Sequence, residues 1–171
     1  MTDETTPELA LFDLMTGHRI TAVLYAAARL GIADILAEGQ RTATELAVAT
    51  ATHEPALLRL LRALVTIEIC SQTGQEQFGL THMGRHLSGN SPRSLKALAI
   101  FEGEMLRASW SGFLDTINTG KTGAQLAGAA SSFELILWAA TRGRLQPLTR
   151  LWAILPGWSP AMCSLPMTSH E

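Results

Sequence analysis

Leu9, Leu11, Phe12, Leu14 and Met15 leave the first helical stretch of the chain, Glu8 to Met15, almost without a polar face. A helix that is apolar nearly all round cannot be solvated alone and has to bury surface on both sides. A second stretch, Arg19 to Leu30, is also dense in Ala and Leu, and Gly17 and Gly31 interrupt the two runs as helix ends do. The chain therefore opens on a helix pair that demands additional apolar surface, and a partner subunit is the nearest source of it.

The next segments are short and sharply punctuated. Leu30 to Leu36 reads as a turn into a brief helix closed by Gly39. Thr42-Ala43-Thr44-Glu45 places a hydroxyl at an N-cap and a carboxylate three residues on, so that each can satisfy a backbone N–H of the other residue. Glu54 and Pro55 open another helix, where the macrodipole favours the acid and the missing proline N–H costs nothing. That helix runs to about Val65. Ile67-Glu68-Ile69-Cys70 then alternates, Gly74 supplies a turn, and Gln77 to Leu80 returns as a second strand. Three helices followed by a hairpin give a mainly α, winged-helix-like fold with a small two-stranded β-hairpin as its wing. Ser94 to Phe101 and Glu104 to Ile117 read as further helices, and the Gly-rich stretch from Thr119 to Gly128 as a loop.

Composition excludes several classes. With 171 residues, 47% of them hydrophobic and 16% charged, the chain is expected to build one packed core. The longest apolar stretch, Ala22 to Ala28, is far shorter than the roughly 20 residues of a membrane span. No basic n-region opens the chain, so a cytoplasmic protein without membrane contact is expected. A formal net charge of -2 gives no general footprint for a polyanion. Winged-helix proteins do read DNA with the helix before the hairpin. Here that helix carries only Arg59 and Arg62 after Glu54, among leucines, so a DNA-binding regulator is the alternative reading and not the preferred one.

The remaining chemistry-bearing residues are read as structural. His82 and His86 are four apart but have no third ligand nearby, so no metal site is expected and both are read as solvated. His18 is a helix-boundary residue, and Glu102 and Glu104 point to different sides of a helix and are read as solvated. Thr119-Gly120-Lys121-Thr122-Gly123 lacks the preceding strand and the upstream glycine of a phosphate loop. Cys70 and Cys163 fit neither a disulfide framework nor metal spacing.

Four segments together resemble one family. Leu30-Gly31-Ile32-Ala33-Asp34-Ile35-Leu36, Thr42 to Ala47, Leu57 to Leu64, and Leu80-Thr81-His82-Met83-Gly84 stand in the order and at the gaps found in the N-terminal part of S-adenosylmethionine-dependent O-methyltransferases of the caffeate, acetylserotonin and bacterial polyketide type. The resemblance covers roughly Leu9 to Glu134. It implies a dimer with interlocked N-terminal helices, either a homodimer or a pairing with a related methyltransferase. It also implies that this domain walls a pocket for a small-molecule acceptor, with Phe101, Met105 and Trp110 on the helix that resembles the substrate-facing wall. In the family, cofactor binding and chemistry lie in a following Rossmann-like domain. No Gly-x-Gly-x-Gly follows an apolar strand here, so no catalytic and no cofactor-binding residue is expected in this chain.

The last fifth reads differently. Leu135 to His170 contains no Asp or Glu, whereas residues 1–134 contain 14, and it holds Trp138, Trp152 and Trp158 with Pro147, Pro156, Pro160 and Pro166. Such apolar sequence rich in helix breakers suits neither a linker nor a helix. A shifted reading frame explains it, since a neighbouring frame can encode the Ala-Ala-Phe and Ala-Met elements of the family at this point. The expectation is a dimerisation domain over 1–134, truncated ahead of its catalytic half, and an atypical, out-of-frame or poorly ordered tail over 135–171.

Overall fold

The computed structural model describes residues 6–74 and 76–126. Helix α1 spans Pro7–Thr16, and the Thr6 hydroxyl accepts from the Leu9 N–H at its start. Helix α2 follows over His18–Leu30 and ends on Gly31, whose φ of 68° lies in the left-handed region that favours glycine. Helix α3 covers Ile32–Ala37, strand β1 Arg41–Thr42, and helix α4 Ala43–Thr50. The expected capping box is present: the Glu45 N–H donates to Thr42 Oγ1 at 3.2 Å, and the Thr42 N–H donates to Glu45 Oε2 at 2.7 Å. Helix α5 spans Glu54–Thr66, with its proline in the first turn.

Strands β2 (Cys70–Thr73) and β3 (Gln77–Leu80) form the hairpin, and β1 adds to it, so the wing is a three-stranded antiparallel sheet in the order β1-β3-β2. The mainly α fold with a hairpin wing is borne out, with one strand more than the expected two. Phe78 of the central strand, opposite Arg41 on one side and Gln72 on the other, is fully buried. The first strand of the hairpin begins later than its alternation indicates. Ile67, Glu68 and Ile69 instead close α5, their N–H groups donating to the Ala63, Val65 and Leu64 carbonyls, and Glu68 adopts a φ of 59°. Alternation of apolar residues is thus produced here by a helix end.

The core joins α2, α3, α4, α5 and the wing through Ala27, Ala28, Ile32, Leu36, Leu46, Leu57, Leu61, Leu64 and Phe78. Beyond β3 the chain makes a tight corner. The Thr81 N–H donates to the Ile69 carbonyl at 3.2 Å, the Thr81 hydroxyl lies 2.6 Å from the Glu68 carbonyl, and the Gly84 N–H donates to Thr81 Oγ1 at 3.0 Å. A 3-10 turn, Gly84–Leu87, then leads to helix α6, Lys96–Phe101.

Asp34 on α3 binds this returning segment. Its Oδ1 accepts from Ser88 Oγ at 3.1 Å and from the Gly89 N–H at 2.7 Å, and its Oδ2 pairs with the Lys96 ammonium. Burial pushes the Asp34 carboxyl up, but the Lys96, Gly89 and Ser88 donors together outweigh it and hold the group below the usual carboxylate range. A carboxyl lowered in the folded state stabilises the fold above its unfolded pKa, and that contribution is lost as pH falls through the folded value. Asp34→Asn is therefore expected to cost about 1–3 kcal/mol at neutral pH. In urea titrations the gap between parent and variant should start to narrow once pH falls below about 3.9, the unfolded carboxyl's value, and go on narrowing as pH falls through the folded value; a gap that stays constant into acid would remove the ion pair from the account.

After α6 the helix widens into a π-turn, Glu102–Leu106, continues as α7, Arg107–Ser111, breaks at Gly112 and resumes as α8, Phe113–Thr119. The single helix expected from Glu104 to Ile117 is thus divided. Within the expected loop after Thr119, Gly123–Leu126 forms a one-turn helix, α9, with Thr122 and Gln125 capping each other. The expected boundary at residue 134 and the tail 135–171, with Cys163 and three of the tryptophans, lie outside the described residues.

Candidate functional site

Among the described residues two apolar faces are exposed. No residue of α1 is buried: Leu14 is 80% exposed, Phe12 is 54% exposed, and Leu9, Leu11 and Met15 are also open to solvent. Ile20 at the start of α2 extends the apolar surface along the chain. At the other end, Trp110 on α7 is 64% exposed, and Phe113, Leu114 and Ile117 on α8 are exposed with it. Trp110 and Phe113 touch each other, with ring centroids 5.4 Å apart and planes tilted by 57°. Runs of large exposed apolar side chains on neighbouring helical turns mark contact surfaces, because water disfavours them where isolated ones are tolerated.

The three residues expected on a pocket wall are spread along one helical arm. Phe101 is buried at the end of α6, Met105 lies in the π-turn, and Trp110 is exposed on α7. Between them stands a polar cluster that sequence reasoning missed. The Tyr25 hydroxyl donates to Glu104 Oε1 at 3.0 Å, and Arg29 Nε reaches the same oxygen at 3.3 Å. Glu104 is therefore not a solvated residue as expected: its side chain is 19% exposed and bridges to α2. Burial, and then the neighbouring Glu104 carboxylate, push the Tyr25 phenol up. Glu102 is also half-buried, and that burial pushes its carboxyl up. The only sequence signal for the cluster is the spacing of Tyr25 and Arg29, four apart on one helix face; their partner is 79 positions from Tyr25.

Other sequence candidates are inert or peripheral. His18 is exposed, with a ring nitrogen 3.1 Å from the Met15 carbonyl. His82 is exposed as expected, but His86 is not fully solvated: it packs edge-on to His82 at 5.9 Å, and its Nδ1 is buried without a hydrogen-bond partner. Among the described residues no group of three His, Cys, Asp or Glu side chains could hold a metal. Cys70 is buried, which pushes its thiol up to about 11, so it is almost wholly protonated at neutral pH. Arg59 and Arg62 lie on the exposed side of α5 with Glu54, a mixed face and not a basic one. Among the described residues no helix is long and apolar enough to cross a membrane.

A helical body with a β wing and helices whose apolar faces have no covering partner among the described residues has the form of a domain built for subunit contact. Residues 12–90 match the O-methyltransferase dimerisation domain family. The chain is 36% identical over 112 residues to a phenazine O-methyltransferase from Lysobacter antibioticus, a match that spans 66% of this chain and 33% of that protein. The solved structure of LaPhzM superposes with a TM-score of 0.75 at 31% identity, covering 81% of this chain and 42% of the other. A methyltransferase of calicheamicin biosynthesis, solved with SAH bound, superposes at 0.63 with 30% identity, covering 84% and 41%. Residues 12–90 form an O-methyltransferase dimerisation domain. The chain spans about a third of the length of the curated relatives it matches.

Proposed function

We propose that the domain pairs two methyltransferase subunits through α1 and the α7–α8 face, most simply as a homodimer, and that the arm carrying Phe101, Met105 and Trp110 walls the acceptor pocket. The observation that carries the reading is α1: ten residues, five of them large apolar side chains, and none buried. Among the described residues nothing covers the apolar surface of that helix; across a two-fold axis it acquires a partner. The acceptor is a small molecule, on the strength of the phenazine methyltransferase relative.

The methyl donor for such an assembly is S-adenosylmethionine, since a relative of the same fold is solved with SAH. The described residues do not fit a donor site. Their three strands are antiparallel, and none leads through a glycine-rich turn into a helix. No step of methyl transfer is assigned to this domain. Sedimentation equilibrium of the purified chain is expected to give a dimer at about 10 μM, the strength that an interface of ordinary size supplies. A monomer at that concentration would overturn the pairing, and retention of dimer after loss of the α1 side chains would overturn its location.

A further inference from the structure

The π-turn stands where the C-terminal arm leaves the core. Helix α2 packs against α6 and the π-turn, whereas α7 packs against the π-turn, α8 and α9. The turn is defined by the Arg107 N–H reaching back to the Glu102 carbonyl, five residues away, in place of the usual four. That extra residue widens the helix by a step, and two contacts coincide with it. Gly103 packs directly against the root of the Tyr25 side chain: a Cβ at this position would stand 2.3 Å from the ring Cγ, 2.4 Å from Tyr25 Cβ and 2.5 Å from Cδ2, so no side chain fits. The next residue, Glu104, receives the Tyr25 hydroxyl and the Arg29 guanidinium on one carboxylate oxygen, at 3.0 and 3.3 Å. Both donors lie on α2, a helix whose Ala27 and Ala28 are fixed in the core.

From this arrangement we infer that the π-turn is a latched pivot. Tyr25 and Arg29 clamp Glu104 at the last point where α2 holds the arm, and release of the clamp frees α7, α8 and α9 as a unit while the core from α2 to β3 stays folded. Three features converge on it. Helices with π-turns bend more readily there than elsewhere, because one backbone bond of the ladder is displaced. The clamp is made of polar groups that can exchange their partners for water, unlike the apolar contacts of the core. The arm beyond it buries little of its own surface, with Trp110, Phe113, Leu114 and Ile117 all exposed.

Hydrogen exchange followed by mass spectrometry on the full chain tests the latch. Tyr25→Phe keeps the ring under Gly103 and removes only the hydroxyl; Glu104→Ala removes the acceptor. In both variants the amides of residues 107–126 are expected to exchange about tenfold faster, while those of 27–36 and 57–64 stay within about twofold of the parent. Unchanged exchange in the arm overturns the proposal. So does equal acceleration of arm and core, which would make the cluster part of one cooperative unit. The proposed pairing also covers the α7–α8 face, so the exchange is read at dilutions where sedimentation shows parent and variants to be monomeric, and failure of the latch is then distinct from failure of the pairing.

Discussion

Phe12→Asp combined with Leu14→Asp is expected to weaken self-association by at least about a hundredfold while leaving the fold of each subunit intact. Buried aromatic and aliphatic anchors at the centre of an interface each contribute on the order of 2 kcal/mol when truncated, and a tenfold change in Kd is about 1.4 kcal/mol. A carboxylate adds the cost of burying a charge without a partner. Neither side chain is in the core of the subunit, since Phe12 is 54% and Leu14 80% exposed. The urea midpoint measured at concentrations where the parent is also monomeric should therefore hardly move. Sedimentation velocity over a dilution series reads the first effect. If the double variant dimerises like the parent, α1 lies outside the interface and the pairing must run through the α7–α8 face alone.

Gly84→Ala is expected to cost about 3 kcal/mol of stability, the upper end of what overpacking does, and to lower the yield of folded protein. A methyl at this position would stand 2.0 Å from the Ile69 carbonyl oxygen, with Leu80 Cδ2 at 3.2 Å. Both close neighbours belong to the corner that joins the wing to the helical body, and the nearer is backbone, which no rotamer change can move. The same carbonyl accepts the Thr81 N–H, and the Gly84 N–H donates to the Thr81 hydroxyl. Displacing Gly84 thus breaks the hydrogen bonds that position β3 against α5. Chemical denaturation of the variant beside Gly89→Ala makes the measurement specific, because a methyl at Gly89 meets only side-chain atoms, at 3.5 Å or beyond. Equal stability of the two variants would show that the corner can open without loss.

Much of this molecule follows from local rules. The capping box at Thr42 and Glu45, the glycine stop after Leu30, the proline start of α5 and the hairpin turn at Gly74 each need only a few neighbouring residues, and each forms where those residues stand. The apolar surplus of α1 was equally plain, because a helix with no polar face carries the need for a partner in its own composition. Where the local rule had two solutions the sequence misled. Ile67, Glu68 and Ile69 alternate like a strand, yet Leu64 and Leu61 are buried so firmly that α5 runs on and uses the next residues to close itself. Arg41 and Thr42 join the sheet only because β3 passes beside them.

The pairings of Glu104 and Asp34 belong to another order of information. Glu104 reads as a surface acid on a helix, and Asp34 as one polar residue in a short apolar helix. Their partners, Tyr25 and Arg29 for the first and Ser88, Gly89 and Lys96 for the second, are 54 to 79 residues away along the chain. Helix periods, caps and turns act over a few residues and were determined by the sequence alone. Which charges meet across helices was decided only when the core fixed α2 and α3 against the returning chain, because a side chain of a few ångströms finds a distant partner only after the backbones that carry both have been brought together.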